Sequence, residues 1–139
     1  MPAPPADLDA TVTRVLREQP GVRFAVLYGS RAEGRATPVS DLDVAAYVDD
    51  AGDFLAAAAA LDETFPEMRV DLVDLSAQPS LVYYEILASG RVLFAHDEDF
   101  FQKEKLRVMR EYLDFRPTYE RVLDAMDQRL ETGTYGKPA

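Results

Sequence analysis

The run Val22-Arg23-Phe24-Ala25-Val26-Leu27-Tyr28 breaks its apolar, β-favouring character only at Arg23, and this constrains the fold more than any other stretch of the chain. A strand with one wet face alternates polar and apolar residues, so a nearly unbroken apolar strand needs cover on both faces. Helices are the natural cover. Just before the run, Leu8, Val12, Val15 and Leu16 fall at helical spacing behind Asp7, a candidate N-cap, and Gln19-Pro20-Gly21 ends the pattern. These signals predict a helix over about residues 8–19.

The strand stops at Gly29. A polar stretch containing Gly and Pro runs to Ser40, and a second strand is predicted from Asp41 to Val48. The turn Asp49-Asp50-Ala51-Gly52-Asp53 then starts an Ala-rich helix that ends near Phe65. A third strand is expected over Arg69 to Leu75, followed by Ser76, Pro79 and a helix to about Ser89, with Gly90 as its left-handed closing residue. Arg91 to Phe94 reads as a short fourth strand. From Asp97 to about Leu130 the pattern is helical, but Pro117 lacks the amide proton that a helix interior uses, which predicts a break or kink near Phe115.

The order α, β, loop, β, α, β, α, β, α, α predicts an α/β (α+β) domain: a small mixed sheet flanked by helices, with a helical C-terminal extension. With 139 residues, one domain is expected, with a core over about 8–96 and C-terminal helices over about 97–131. The longest apolar run, Phe54 to Leu61, is far short of a membrane span, and Met-Pro-Ala-Pro-Pro has no basic-then-apolar signal pattern, so a cytoplasmic protein is expected. The absence of cysteine excludes disulfides and Cys-based zinc sites. A formal net charge of −10 opposes direct binding to nucleic acid, which rests on neutralising phosphates, and suits a basic partner better.

The chemistry concentrates in Gly29-Ser30-Arg31 and the downstream Asp41-Leu42-Asp43, with ten residues between Ser30 and Asp41. Asp41 and Asp43 are two apart on a predicted strand, so both carboxylates project from one face, where they can share a hard cation. Gly29 lets the backbone approach a phosphate closely. The Ser30 hydroxyl and nearby amides can donate to phosphate oxygens. With this chain's own residue frequencies, the four fixed positions arise by chance in about three of every thousand such chains.

Asp71, on the third predicted strand, is the candidate third carboxylate and general base, with Asp74 a competing position. Two metal ions held by three carboxylates, with Mg²⁺ the natural choice, can bridge a triphosphate and activate an acceptor hydroxyl. Arg31 suits a phosphate contact or a surface ion pair equally. His96, the only histidine, reads as a surface residue, and Tyr83-Tyr84, at helical spacing from Leu87, as core packing or the lining of a base pocket.

Gly29-Ser30, Asp41-x-Asp43 and Asp71 together resemble the polymerase-β-type nucleotidyltransferase superfamily, and the short chain resembles its minimal, MNT-domain branch. Tyr84 to Phe94 and Arg110 to Pro117 are further similar to the antitoxins of HEPN/MNT toxin–antitoxin pairs; the resemblance runs from about Phe24 to Leu130. It implies a nucleotidyltransferase fold and an antitoxin that uses ATP and Mg²⁺ to place AMP on a tyrosine of a HEPN-domain ribonuclease toxin, in a hetero-oligomer with it. By the same resemblance Gly29 and Ser30 meet the triphosphate, Asp41 and Asp43 bind metal, and Asp71 binds metal and activates the acceptor.

Two other readings fit the same residues. One is transfer to a small molecule such as an aminoglycoside, although only about 40 residues remain after the fourth strand to hold that acceptor. The other is an antitoxin that neutralises by binding alone. Leu106, Met109, Leu113, Val122, Leu123, Met126 and Leu130 form either a docking surface or packing against the sheet.

Overall fold

The computed structural model describes residues 5–29, 32, 34 and 41–132. Helix α1 (Pro5–Arg17) leads into strands β1 (Val22–Tyr28) and β2 (Leu42–Val48), helix α2 (Ala51–Thr64) and strand β3 (Val70–Asp74). A 3-10 turn at Leu75–Ala77 precedes helix α3 (Ser80–Ser89), strand β4 (Arg91–Ala95) and helix α4 (Glu98–Thr132). The strands form one sheet in the order β3-β2-β1-β4. In it β1 lies antiparallel to β2 and β4, while β2 and β3 run parallel.

This mixed sheet with flanking helices is the architecture that the sequence predicts, and the continuous apolar character of β1 has the expected cause. Ala25 and Leu27 point into one core with Val44, Ala46, Leu8, Val12 and Leu16 of α1, and Ala57 and Leu61 of α2. Phe24 and Val26 point the other way, into a second core with Ala45, Tyr83 and Ile86 of α3, and Phe101 and Val108 of α4. Fully burying each large aliphatic or aromatic side chain contributes roughly 1.5–3 kcal/mol, so two filled faces fix the register of the central strands strongly.

A polar cluster fastens α4 to α3. Arg107 binds Glu104 at 2.9 Å and Glu111 at 3.1 Å. The Tyr83 hydroxyl donates to Glu104 at 3.2 Å, and the Ser80 hydroxyl donates to Glu111. Beside it Tyr84 and Tyr112 stack with ring centroids 3.9 Å apart and 10° between planes. Tyr83 and Tyr84 are therefore packing residues of the helix pair.

Three local expectations are corrected. Helix α1 starts at Pro5, a position in the first turn where the missing amide proton costs nothing, so Asp7 lies inside the helix and is not its cap. Gly90 closes α3 in extended rather than left-handed backbone, at φ −91° and ψ 176°. Its smallness serves close approach instead: a Cβ there would lie 2.5 Å from Val26 Cγ1 and 2.6 Å from the Ile86 carbonyl oxygen. Helix α4 continues through Pro117 without breaking. The neighbouring Leu113 and Phe115 face solvent, where water can satisfy the carbonyl that the proline leaves without a donor.

The described part of the C-terminal apolar set does not pack on the sheet. Leu106, Met109, Leu113 and Met126 are all exposed, by 37 to 53%. The side chains of Val122, Leu123 and Leu130 lie outside the described residues. Among the described residues no helix is long and apolar enough to cross a membrane.

Candidate active site

The geometry is set by where β1, β2 and β3 lie side by side. Tyr28, the last residue of β1, pairs with Asp43 of β2, and Asp43 pairs in turn with Asp71 of β3. Alternation along the strands sends these three side chains toward the face that carries Val26, Ala45, Val73, α3 and α4. The row Tyr28, Asp43, Asp71 therefore lies at one end of the sheet, just where β1 hands over to the turn at Gly29. Asp41 sits one residue ahead of β2 at the same end.

Gly29 has φ +76°, which L side chains rarely adopt, and a Cβ on it would lie 2.5 Å from Asp43 Oδ2. The conformation favours glycine here, and a Cβ would push the Asp43 carboxylate aside. The backbone at Gly29 and the Asp43 carboxylate are in this way brought close together. Ser30 and Arg31 lie outside the described residues.

Burial and like charges together shape the electrostatics of the cluster. The Asp43 carboxyl is pushed above the usual carboxylate range, first by burial, then by Asp71 and Asp41, with Arg69 opposing. Burial likewise pushes the Tyr28 phenol up, and Asp43 and Asp71 add to it. Arg69 supplies the counter-charge: its Nε lies 3.5 Å from Asp71 Oδ1 and 3.9 Å from Asp41 Oδ2. Among the described residues no three carboxylates or histidines close into a group that encircles one metal ion.

Asp74, the competitor of Asp71, is occupied locally. Its carboxylate accepts from the Ser76 amide at 3.0 Å and the Ser76 hydroxyl at 2.6 Å, capping the 3-10 turn. His96 is exposed, with its ring 5.1 Å from that of Phe94. Its amide bonds to Arg23 at the opposite end of β1 from Tyr28, so it stands apart from the carboxylates. Sequence reasoning missed Tyr28 and Arg69. Tyr28 adjoins Gly29 and Arg69 lies two residues before Asp71, but their approach to the carboxylates depends on which strands lie adjacent.

A mixed sheet with helices on both faces, a left-handed glycine leading off one strand and facing aspartates on the next two, defines a nucleotidyltransferase fold. The chain belongs to the family described as "Polymerase beta, Nucleotidyltransferase", whose model matches residues 10–99. Among solved structures the chain is similar to a toxin–antitoxin crystal structure with AMP-PNP, at 21% identity and a TM-score of 0.70, covering 84% of this chain and 96% of that one. It is also similar to a structure of a tri-AMPylated Shewanella oneidensis HEPN toxin in complex with MNT antitoxin, at 17% identity and a TM-score of 0.67, covering 88% and 98%. A third likeness, to the toxin–antitoxin MntA-HepT, has 18% identity and a TM-score of 0.63, covering 84% and 94%. At these identities the likeness speaks to the fold. No curated protein matches the chain.

Proposed function

We propose that this chain is a Mg²⁺-dependent protein adenylyltransferase that moves AMP from ATP to a tyrosine of a HEPN-domain ribonuclease toxin, acting as its antitoxin in the cytoplasm. The observation that carries the reading is the pairing of Asp43 with Asp71 across β2 and β3, beside a turn whose positive φ favours glycine. The neighbouring folds support the ligand and the partner: one holds AMP-PNP, and another pairs an MNT antitoxin with a HEPN toxin carrying AMP groups.

The donor set suits Mg²⁺, because Asp41, Asp43 and Asp71 offer only oxygen. These carboxylates do not enclose an ion by themselves. Mg²⁺ commonly takes one or two carboxylates and completes its shell with water and substrate phosphates, so a site finished by the nucleotide fits this arrangement. When bound, the ion would neutralise charge on the triphosphate.

The chain's own residues then divide the work. Gly29 allows the backbone close to the phosphates, with the Ser30 hydroxyl and Arg31 as the phosphate contacts expected from sequence. Asp71 takes the proton of the acceptor hydroxyl. The acceptor oxygen bonds to the α-phosphorus, the bond from that phosphorus to the bridging oxygen breaks, and pyrophosphate leaves with the electron pair.

A macromolecular acceptor is favoured by the exposed apolar residues along the helix that follows β4, α4. The exposed Leu106, Met109 and Leu113 on α4 offer a docking stripe, and the net charge of −10 complements a basic ribonuclease. The test is neutralisation in cells by the pair Asp41→Asn/Asp43→Asn. Loss of neutralisation with the complex still formed supports catalysis. Full neutralisation by the double variant assigns the function to binding alone.

A further inference from the structure

Arg69 lies at the seam between the two parallel strands that carry the carboxylates. Its carbonyl accepts the Leu42 amide at 2.9 Å, which pins the residue beside Asp41 at the strand ends. From there its Nε reaches Asp71 at 3.5 Å and Asp41 at 3.9 Å. Both distances exceed a good charge-assisted hydrogen bond, and the side chain is 73% exposed. The guanidinium is thus a loose Coulombic counter-ion rather than a clamp, and such a contact is exchangeable.

We infer that Arg69 is a resident counter-ion of the carboxylate site, screening Asp41 and Asp71 against a free divalent cation and turning to the phosphates when a metal–nucleotide complex binds. This rests on the reading of these carboxylates as metal ligands. The physical basis is competition: a bare cation entering the site must displace or tolerate the guanidinium, with nothing gained in return. A cation arriving with a triphosphate brings oxygens that the planar, five-donor guanidinium can take. Arg69 thereby makes the site prefer metal delivered on a nucleotide over metal alone.

The test measures binding of Mn²⁺, alone and with a non-hydrolysable ATP analogue, to the full chain by electron paramagnetic resonance and calorimetry. Because Arg69 is exposed, Arg69→Gln should fold normally, checked by circular dichroism. The expected result is tighter binding of Mn²⁺ alone, by about 2- to 5-fold, and weaker binding of the Mn²⁺–nucleotide complex. Arg69→Lys, which keeps the charge but loses the fork, should leave the affinity for Mn²⁺ alone near that of the unaltered protein. Equal affinity for Mn²⁺ alone in Arg69→Gln and the unaltered protein overturns the inference while leaving the metal site in place. Failure of the unaltered protein to bind Mn²⁺, with or without nucleotide, overturns the metal-site reading and the inference with it.

Discussion

The backbone at Gly29, with φ +76° and Asp43 Oδ2 at 2.5 Å from any Cβ placed there, ties the turn to the carboxylate beside it. Gly29→Ala should therefore fail twice: about 1–2 kcal/mol of stability lost to left-handed strain, read by urea denaturation, and a displaced Asp43 that weakens nucleotide binding, read by calorimetry. Asp43 itself should act in the opposite direction. Its carboxyl titrates above its unfolded value, so the folded state holds the proton longer and folding loses stability as pH rises from the usual carboxylate value of 3.8 through the raised one. Asp43→Asn removes that loss. The variant should melt about 2 °C higher than the metal-free protein at neutral pH, with the difference shrinking as pH falls below 3.8. A melting temperature that drops instead would show that Asp43 is held by attraction rather than repulsion.

Individual elements were largely legible in the sequence. Strand β1 has the boundaries that its apolar run marks, because both of its faces are buried and neither can tolerate a slip. What escaped were features decided by tertiary approach. Gly90 is needed for the space between α3 and β1, and no local pattern distinguishes that from a left-handed cap. Gly90→Ala should accordingly cost about 2–3 kcal/mol, since its Cβ would meet backbone oxygens of Ile86 and Leu27 that cannot rotate away; thermal denaturation reads it. Pro117 illustrates the reverse case: a strong local breaker is absorbed where the helix runs through solvent. The carboxylate pattern was readable because Asp43 and Asp71 follow strand alternation. The pairing of Tyr28 with Asp43 and the reach of Arg69 to Asp41 depend on which strands lie adjacent, and composition does not carry that information.

At the scale of the whole molecule, the sheet divides the chain into a face covered by α1 and α2 and a face where α3 and α4 sit beside the carboxylates. Helix α4 leaves an apolar stripe without cover, with Leu106 and Leu113 exposed by 51 and 53%. Leu106→Glu/Leu113→Glu should keep the fold, since neither side chain is in a core, and weaken the complex with the proposed HEPN-domain partner by at least about 10-fold in a calorimetric titration. An unchanged affinity would move the docking surface elsewhere. The central claim is transfer itself. Incubating the protein with ATP, Mg²⁺ and the proposed HEPN-domain partner and recording the intact masses of both chains tests it. Transfer should add one or more AMP units to the proposed partner, a gain abolished by Asp41→Asn; a complex that forms with both masses unchanged would exclude it.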